Sequence, residues 1–169
     1  LPVMARDVFK IGSSGFGLLM ASAGVGSVAA GLALAMRPPR DPVRTMLLGG
    51  GGVAVLGLGF ALSPPLGFLP LSVALLFGTG FAMISLTATA NNLVQQRASD
   101  ELRGRVLSVY LTVFAASVPL GGLFAGGLAR WKGAPFAWAC GALLSGAVVL
   151  RAAWELRRRR GEWRTAVVD

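Results

Sequence analysis

The sequence has no histidine and a single cysteine, Cys140. Without histidine, the commonest metal ligand and the commonest general base are missing, which argues against a zinc site or a serine hydrolase triad. One cysteine forms no internal disulfide. Charge is scarce too: only 14% of the 169 residues carry it, against about 25% in ordinary soluble domains. No charged side chain falls between Met46 and Gln96, and the seven acids sit in a few short clusters. What fills the space is apolar, at 54% of the chain, and such a surplus requires an apolar solvent. The net charge of +9 does not indicate nucleic acid, because the bases punctuate apolar runs instead of forming one continuous face. Gly49 to Gly52 superficially suggests a phosphate loop, yet no strand precedes it and no Gly-Lys-Ser or Gly-Lys-Thr follows. No cofactor motif is present.

A helix crosses a bilayer with roughly 20 apolar residues, since each adds about 1.5 Å across a hydrocarbon layer of about 30 Å. The neutral stretches between charges supply five. The first is placed at 15–36, after a Gly12-Ser13-Ser14-Gly15 turn, and stops at Arg37-Pro38-Pro39-Arg40-Asp41-Pro42-Val43-Arg44, where prolines and charges end a helix. Residues 45–96 are too many for one crossing. The turn signal Ser63-Pro64-Pro65-Leu66-Gly67 divides them into 45–62 and 68–96. The fourth runs over 106–129, ending at Arg130-Trp131-Lys132-Gly133, and the fifth from 134 to 150 or slightly beyond. A charge at the centre of a span costs about 2.5–3.5 kcal/mol on insertion scales while each leucine or valine returns only about 0.3–0.6, so the empty interiors are what insertion demands. A soluble bundle of buried helices would need polar outer stripes, and residues 49–62 have none. The expected fold is an all-α, polytopic transmembrane helical bundle.

Lysines and arginines are retained on the cytoplasmic side. One set of loops receives Arg37, Arg40, Arg44, Arg97, Arg103, Arg105, Arg151, Arg157 to Arg160 and Arg164, and the other only Arg6, Lys10, Arg130 and Lys132. This split of twelve against four places the C-terminus inside, with residues 157–169 as a basic cytoplasmic tail that touches anionic headgroups. Five crossings then put the beginning outside, and with Leu1 in place of methionine and no leader, an upstream part of the protein is expected.

The segment Ser99-Asp100-Glu101-Leu102-Arg103-Gly104-Arg105-Val106-Leu107-Ser108-Val109-Tyr110 is the most distinctive in the chain. It resembles the cytoplasmic loop before helix 11 of the major facilitator superfamily, in the branch of the enterobactin exporter and the transmembrane secretion effector proteins. Leu1-Pro2-Val3-Met4-Ala5-Arg6-Asp7-Val8-Phe9, followed by Ser14-Gly15-Phe16-Gly17-Leu18-Leu19, is similar to that branch's passage from helix 7 into helix 8. The resemblance implies that residues 1–156 hold the end of helix 7 and helices 8–12 of a twelve-helix transporter whose N-terminal half lies elsewhere. It further implies a secondary active exporter of siderophores, drugs or other amphiphiles, working by alternating access in the bacterial inner membrane, usually by exchange with protons. One departure is that the Gly-x-x-x-Asp pattern after helix 8 has Ala35 where the acid would stand, so no gating role is carried onto it. The partners implied are membrane lipid, a small-molecule substrate, protons and the other half. No acid lies within any span, so a proton carrier is expected outside this chain. The protein is not expected to be an enzyme. A second reading is a non-transporting membrane scaffold or accessory subunit.

Within that frame the third stretch corresponds to helix 10, which lines the central cavity in the superfamily. It carries the richest polar series: Thr79, Ser85, Thr87, Thr89, Asn91 and Asn92, with Gln95 and Gln96 at the interface. Polar groups at membrane depth face protein or a water-filled cavity, so these six are the candidates for lining a substrate path. Serine and threonine can equally bond their own helix. Small residues recur every four positions as Ser22, Gly26 and Ala30 and as Ala23, Ser27 and Gly31 in the first stretch, and as Gly121, Ala125 and Ala129 beside Gly122 and Gly126 in the fourth. Such stripes let helices approach closely in lipid, either within this half or in sliding between halves. Pro119 removes a backbone bond inside the fourth stretch and should kink it. Ser99 or Asp100 can cap that helix, and Asp100, Glu101, Arg103, Gly104 and Arg105 form a cytoplasmic loop for which both a capping and a gating role are open. Trp131, Trp138 and Trp154 stand near boundaries, as interface anchors do.

Overall fold

A computed structural model describes residues 4, 9, 11–63, 69–99 and 101–165, with side chains through 158. The remainder of the expected N-terminal passage, the turn at 64–67, Asp100 and the side chains of Arg159, Arg160 and Arg164 lie outside the described residues. Among the described residues the chain is five long helices: α1 (Gly12–Met36), α2 (Pro42–Leu62), α3 (Leu69–Arg97), α4 (Arg103–Lys132) and α5 (Ala134–Thr165). All five are long and apolar enough to cross a membrane. The chain is an integral membrane protein, as its composition requires.

The boundaries show which local signals win. Helix α1 begins at Gly12, not Gly15, because the Gly15 N–H closes a first turn on the Ile11 carbonyl at 3.3 Å and Gly12 takes the positive φ of 64° at its start. The anticipated turn is therefore the first turn of the helix. Helix α2 starts three residues before the expected 45, at the pair Asp41-Pro42. The Asp41 carboxylate accepts from the Arg44 N–H at 3.0 Å, and Pro42 occupies a first-turn position where no N–H is needed. Ahead of α4 the capping position falls on Leu102, with no side-chain cap. Ser99 contributes only its carbonyl, which accepts from the Leu102 and Arg103 N–H groups at 3.0 and 2.8 Å. Gly133, at φ 88°, turns α4 into α5, and Lys132 sits 4.6 Å from the Trp131 ring centre and 5.2 Å from that of Phe136 at this turn. Helix α5 continues well past 150 to Thr165, so residues beyond the last apolar stretch extend the same helix.

Packing runs in the order α1, α3, α2, α5, α4, with the tightest contacts between α1 and α3 and between α2 and α3. Apart from one cluster, small residues fill the interior and many large ones face outward, unlike a soluble core. Ala30, Ala54, Ala61, Ala82, Ala137 and Ala142 are buried, whereas Val28, Leu32, Val55, Leu123 and Leu150 are exposed. Lipid is as apolar as leucine, so helix association depends on close packing and not on hiding large side chains. Glycines set the distances: Gly49 and Gly52 lie against Ala82 and Leu86 of α3, and Gly50 against Val149 of α5. The glycine run is helix packing. One compact apolar cluster closes the end of the bundle where α1 begins and α2 ends, built from Met4, Leu19, Phe60 and Leu76, with Trp138 edge-on to Phe60 at 5.0 Å. Trp138 thus serves the interior, while Trp131 and Trp154 are exposed like interface anchors.

Candidate functional site

The polar series of α3 divides into two faces. At about 100° per residue, Ser85, Thr89, Asn92 and Gln96 follow at i, i+4, i+7 and i+11 on one side. Thr79, Met83, Thr87 and Asn91 follow at steps of four on another. Contacts show what each neighbours: Phe77 and Gly80 face α1, and Leu75, Gly78, Ala82 and Leu86 face α2. Three hydroxyls are absorbed by their own helix, with Thr79 donating to Leu75 O at 2.7 Å, Ser85 to Phe81 O at 2.8 Å and Thr87 to Met83 O at 2.9 Å. The Asn91 carboxamide oxygen accepts from Gln95 Nε2 at 3.0 Å. Thr89 is different. It is 3% exposed, and its Oγ1 has no partner at all, a costly state for a buried hydroxyl.

Thr89 lines a cavity of about 410 Å³ beneath the α1–α2 turn, together with Asn92, Leu93 and Gln96 of α3. Its other wall is Leu34 and Ala35 of α1 and the three turn prolines, Pro38, Pro39 and Pro42. The sequence explains why this wall has no free backbone N–H, and why two carbonyls of α1 lose their usual partners. A helical carbonyl takes the N–H four residues on, and for Leu34 and Ala35 those residues are Pro38 and Pro39, which have none. The Arg37 N–H is engaged by Ala33 O at 2.9 Å. Around this end of the bundle Arg37, Arg40, Arg44 and Arg97 are exposed. Of the six path candidates, then, only Thr89 and Asn92 share a cavity. Proline placement four residues after α1's last carbonyls was the available signal for it.

Two other concavities are present among the described residues. One, of about 740 Å³, is an apolar groove between the first halves of α1 and α3, with Leu18, Val25, Val73 and Phe77 in its walls. The other, of about 220 Å³, lies between the start of α2 and the extension of α5, where Asp41, Arg44 and Arg157 meet.

The small-residue stripes behave differently on their two helices. On α1, Ser22, Gly26 and Ala30 are buried. Gly26 lies against the carbonyl of Phe77, and Gly80 against the carbonyl of Ala23, so the two backbones touch reciprocally. Ser27 Oγ bridges this crossing, donating to Ala23 O at 2.9 Å with Gly80 O at 3.3 Å. This stripe packs within the bundle. On α4, by contrast, no residue is buried, and nothing lies within 4 Å of a side chain built at Gly121, Gly122 or Gly126. The helix runs unbroken through Pro119, and Ser117 Oγ donates to Phe114 O at 2.7 Å just before it. Glu101, Arg103, Gly104 and Arg105 are exposed at its start.

No group of three or more metal-ligating side chains occurs among the described residues. Between its ends the bundle presents neutral surface with hydroxyls mostly bonded to their own helices, and its cations stand towards the helix ends. Residues 1–164 match the model of a family described as transmembrane secretion effector. No curated protein and no solved structure matches the chain.

Proposed function

Because the chain belongs to the transmembrane secretion effector family of the major facilitator superfamily, we propose that it is the C-terminal membrane portion of a secondary active exporter of small amphiphilic molecules. Residues 1–156 would be the membrane unit and 157–169 a basic tail, in a bacterial inner membrane with that tail in the cytoplasm. Two halves rocking about a midplane site would carry the substrate across, with the other half supplied by the same transporter. Any coupling proton would be carried by that half, since Asp41 and Glu101 lie just outside their helices and Glu155 stands exposed in α5 past its apolar stretch, between Arg151 and Arg157.

The observation that carries this reading is the stripe of Thr79, Met83, Thr87 and Asn91, none of which is buried, and which winds from the side clear of α1 and α2 at Met83 towards the Gly80 side at Thr87 and Asn91. Met83 is exposed and Thr87 half-exposed. Threonines already donating to their helix present lone pairs, Asn91 retains its amide N–H groups, and Met83 adapts its shape. That mixture suits an amphiphile with hydrogen-bonding groups on an apolar body. Ser85, Thr89 and Asn92 face elsewhere, so they belong to the packing and to the cavity beneath the turn.

The test is uptake of fluorescent amphiphiles into energised everted vesicles containing the transporter. Thr87→Val combined with Asn91→Leu should lower uptake at least about tenfold at unchanged protein level, as loss of two substrate contacts implies. Uptake equal to that of empty vesicles for every amphiphile would favour a scaffold, and full activity of the double variant would refute the assigned face.

A further inference from the structure

At one end of the bundle the seam between α2 and α5 opens, and the residues that space the two helices explain why. Further along, the seam is closed by small residues, with Gly57 against Ala142 and Trp138, Gly146 against Ala54, and Gly50 against Val149. These pairs run in opposite directions along the two helices. One turn beyond Gly50 and Val149 come Leu47 and Ala153, and a further turn brings Val43 and Arg44 to Leu156 and Arg157. There the small residues end, and a cavity of about 220 Å³ is left with all six of these side chains in its lining.

Two positive charges thus share one notch. Among the described residues neither the Arg44 nor the Arg157 guanidinium makes a hydrogen bond or ion pair. The Asp41 carboxylate beside them is turned to the helix end, where it accepts from the Arg44 N–H at 3.0 Å. Arg37, Arg40 and Arg97 add exposed charge around the same end. Like charges across a notch repel, and an anion between them removes that cost. The rest of the lining says which kind of anion. Val43, Leu47 and Leu156 offer apolar surface that a small soluble anion cannot use. Helix α2 begins at Pro42, and the uncharged stretch of α5 ends at Arg151, which puts the notch at the level of lipid headgroups. Leu143, Leu150, Trp154 and Arg157 follow at steps of seven, four and three on one face of α5. The first three are 59%, 72% and 61% exposed, so this face leads from the membrane interior to the notch. A headgroup with its own ammonium would bring another cation beside the arginines, whereas a phosphodiester bearing glycerol brings the anion alone.

We propose that the notch binds the headgroup of an anionic glycerophospholipid, with its phosphate between Arg44 and Arg157 and an acyl chain along Trp154, Leu150 and Leu143. This is one built site, distinct from attraction of a basic tail to headgroups at large, and it does not depend on what is exported. The experiment is native mass spectrometry of the detergent-solubilised full-length protein with equimolar dioleoyl phosphatidylglycerol, phosphatidylethanolamine and phosphatidylcholine. The glycerol lipid should be retained about tenfold over either zwitterionic lipid. Arg44→Gln and Arg157→Gln should each cut that preference about fivefold, the factor for one arginine near an anionic headgroup, and Arg44→Lys should keep more of it than Arg44→Gln. Arg40→Gln and Arg97→Gln, at the same end but outside the notch, should leave it within about twofold. Equal retention of the three lipids, an equal fall in all four glutamine variants, no fall in Arg44→Gln and Arg157→Gln, or full displacement by equimolar soluble glycerophosphoglycerol would overturn the proposal.

Discussion

Replacing Gly26 with alanine puts a methyl group where the Phe77 carbonyl now lies, and replacing Gly80 does the same at the carbonyl of Ala23. Neither obstacle is a flexible side chain that can swing aside. Both are backbone of a long helix, so the helices must separate by about 1 Å or more to reach ordinary contact distance. Overpacking of this kind costs about 1–3 kcal/mol. Separation also weakens the reciprocal Cα–H···O contacts, at about 0.5–1 kcal/mol each, and lengthens the 3.3 Å approach of Ser27 Oγ to Gly80 O. Against this stands the helix preference for alanine over glycine, about 1 kcal/mol.

The net expectation is a loss of about 1–2 kcal/mol for each single substitution. It would be read as a fall in melting temperature of several degrees, by fluorescence-detected size exclusion after heating in detergent. Gly24→Ala is the control. It lies two residues away on the same helix and meets nothing within 4 Å, so only the propensity gain applies and its melting point should rise slightly. The double variant Gly26→Ala with Gly80→Ala should fall short of additivity, because one separation relieves both clashes. If Gly26→Ala and Gly80→Ala melt at or above the parent, the reciprocal backbone contact is not what holds α1 to α3.

Three further outcomes are expected. Ser72 donates its hydroxyl to Ser63 Oγ at 2.8 Å while Ser63 donates to Phe60 O. Ser72→Ala should therefore cost about 1 kcal/mol in the same melting assay, and no change would show that this tie between α2 and α3 is idle. Arg103→Ala with Arg105→Ala, at the exposed start of α4, should lower export at normal expression; unchanged turnover would reduce that loop to a connection. Gly122→Leu with Gly126→Leu, which meets nothing in this bundle, should leave its melting within about 0.5 kcal/mol yet impair transport by the whole protein. Equal loss of both would place the α4 stripe inside this bundle after all.

Much of this architecture was legible because bilayer insertion is a coarse requirement. Twenty neutral residues between charges suffice to locate a span, and all five were located. The errors fall where a local hydrogen bond decides. Gly12 to Gly15 reads as a turn by composition, yet the Gly15 N–H reaches Ile11 O and the helix starts earlier. Asp41-Pro42 was counted among the residues that end α1, when it equally starts α2. The polar series of α3 was read as one lining, although steps of four and three sort it into two faces with different neighbours. Thr89 could not be told from Thr79 or Thr87 by residue type, since what separates them is whether the hydroxyl bonds its own helix. That depends on tertiary surroundings, which the sequence carries only through the distant pair Pro38-Pro39.

The two glycine-rich helices show why exposure alone is a poor guide in lipid. In water an uncovered apolar face such as that of α4 would mark a docking surface, but in hydrocarbon Leu123 and Val118 are at no disadvantage facing acyl chains. Small residues give the sharper signal, because a glycine facing lipid forgoes contacts and helix propensity for nothing in return. On α1 that sacrifice is matched by the backbone of α3 at Gly26. On α4 the same sacrifice at Gly121, Gly122 and Gly126 has no match within the bundle, while α4 itself leans mainly on α5. Of the two roles open to such stripes, tight packing inside this half therefore accounts for α1. For α4 the role left under the proposed export reading is contact with the other half, where a helix leaning mainly on α5 would shift against its partner as the halves rock.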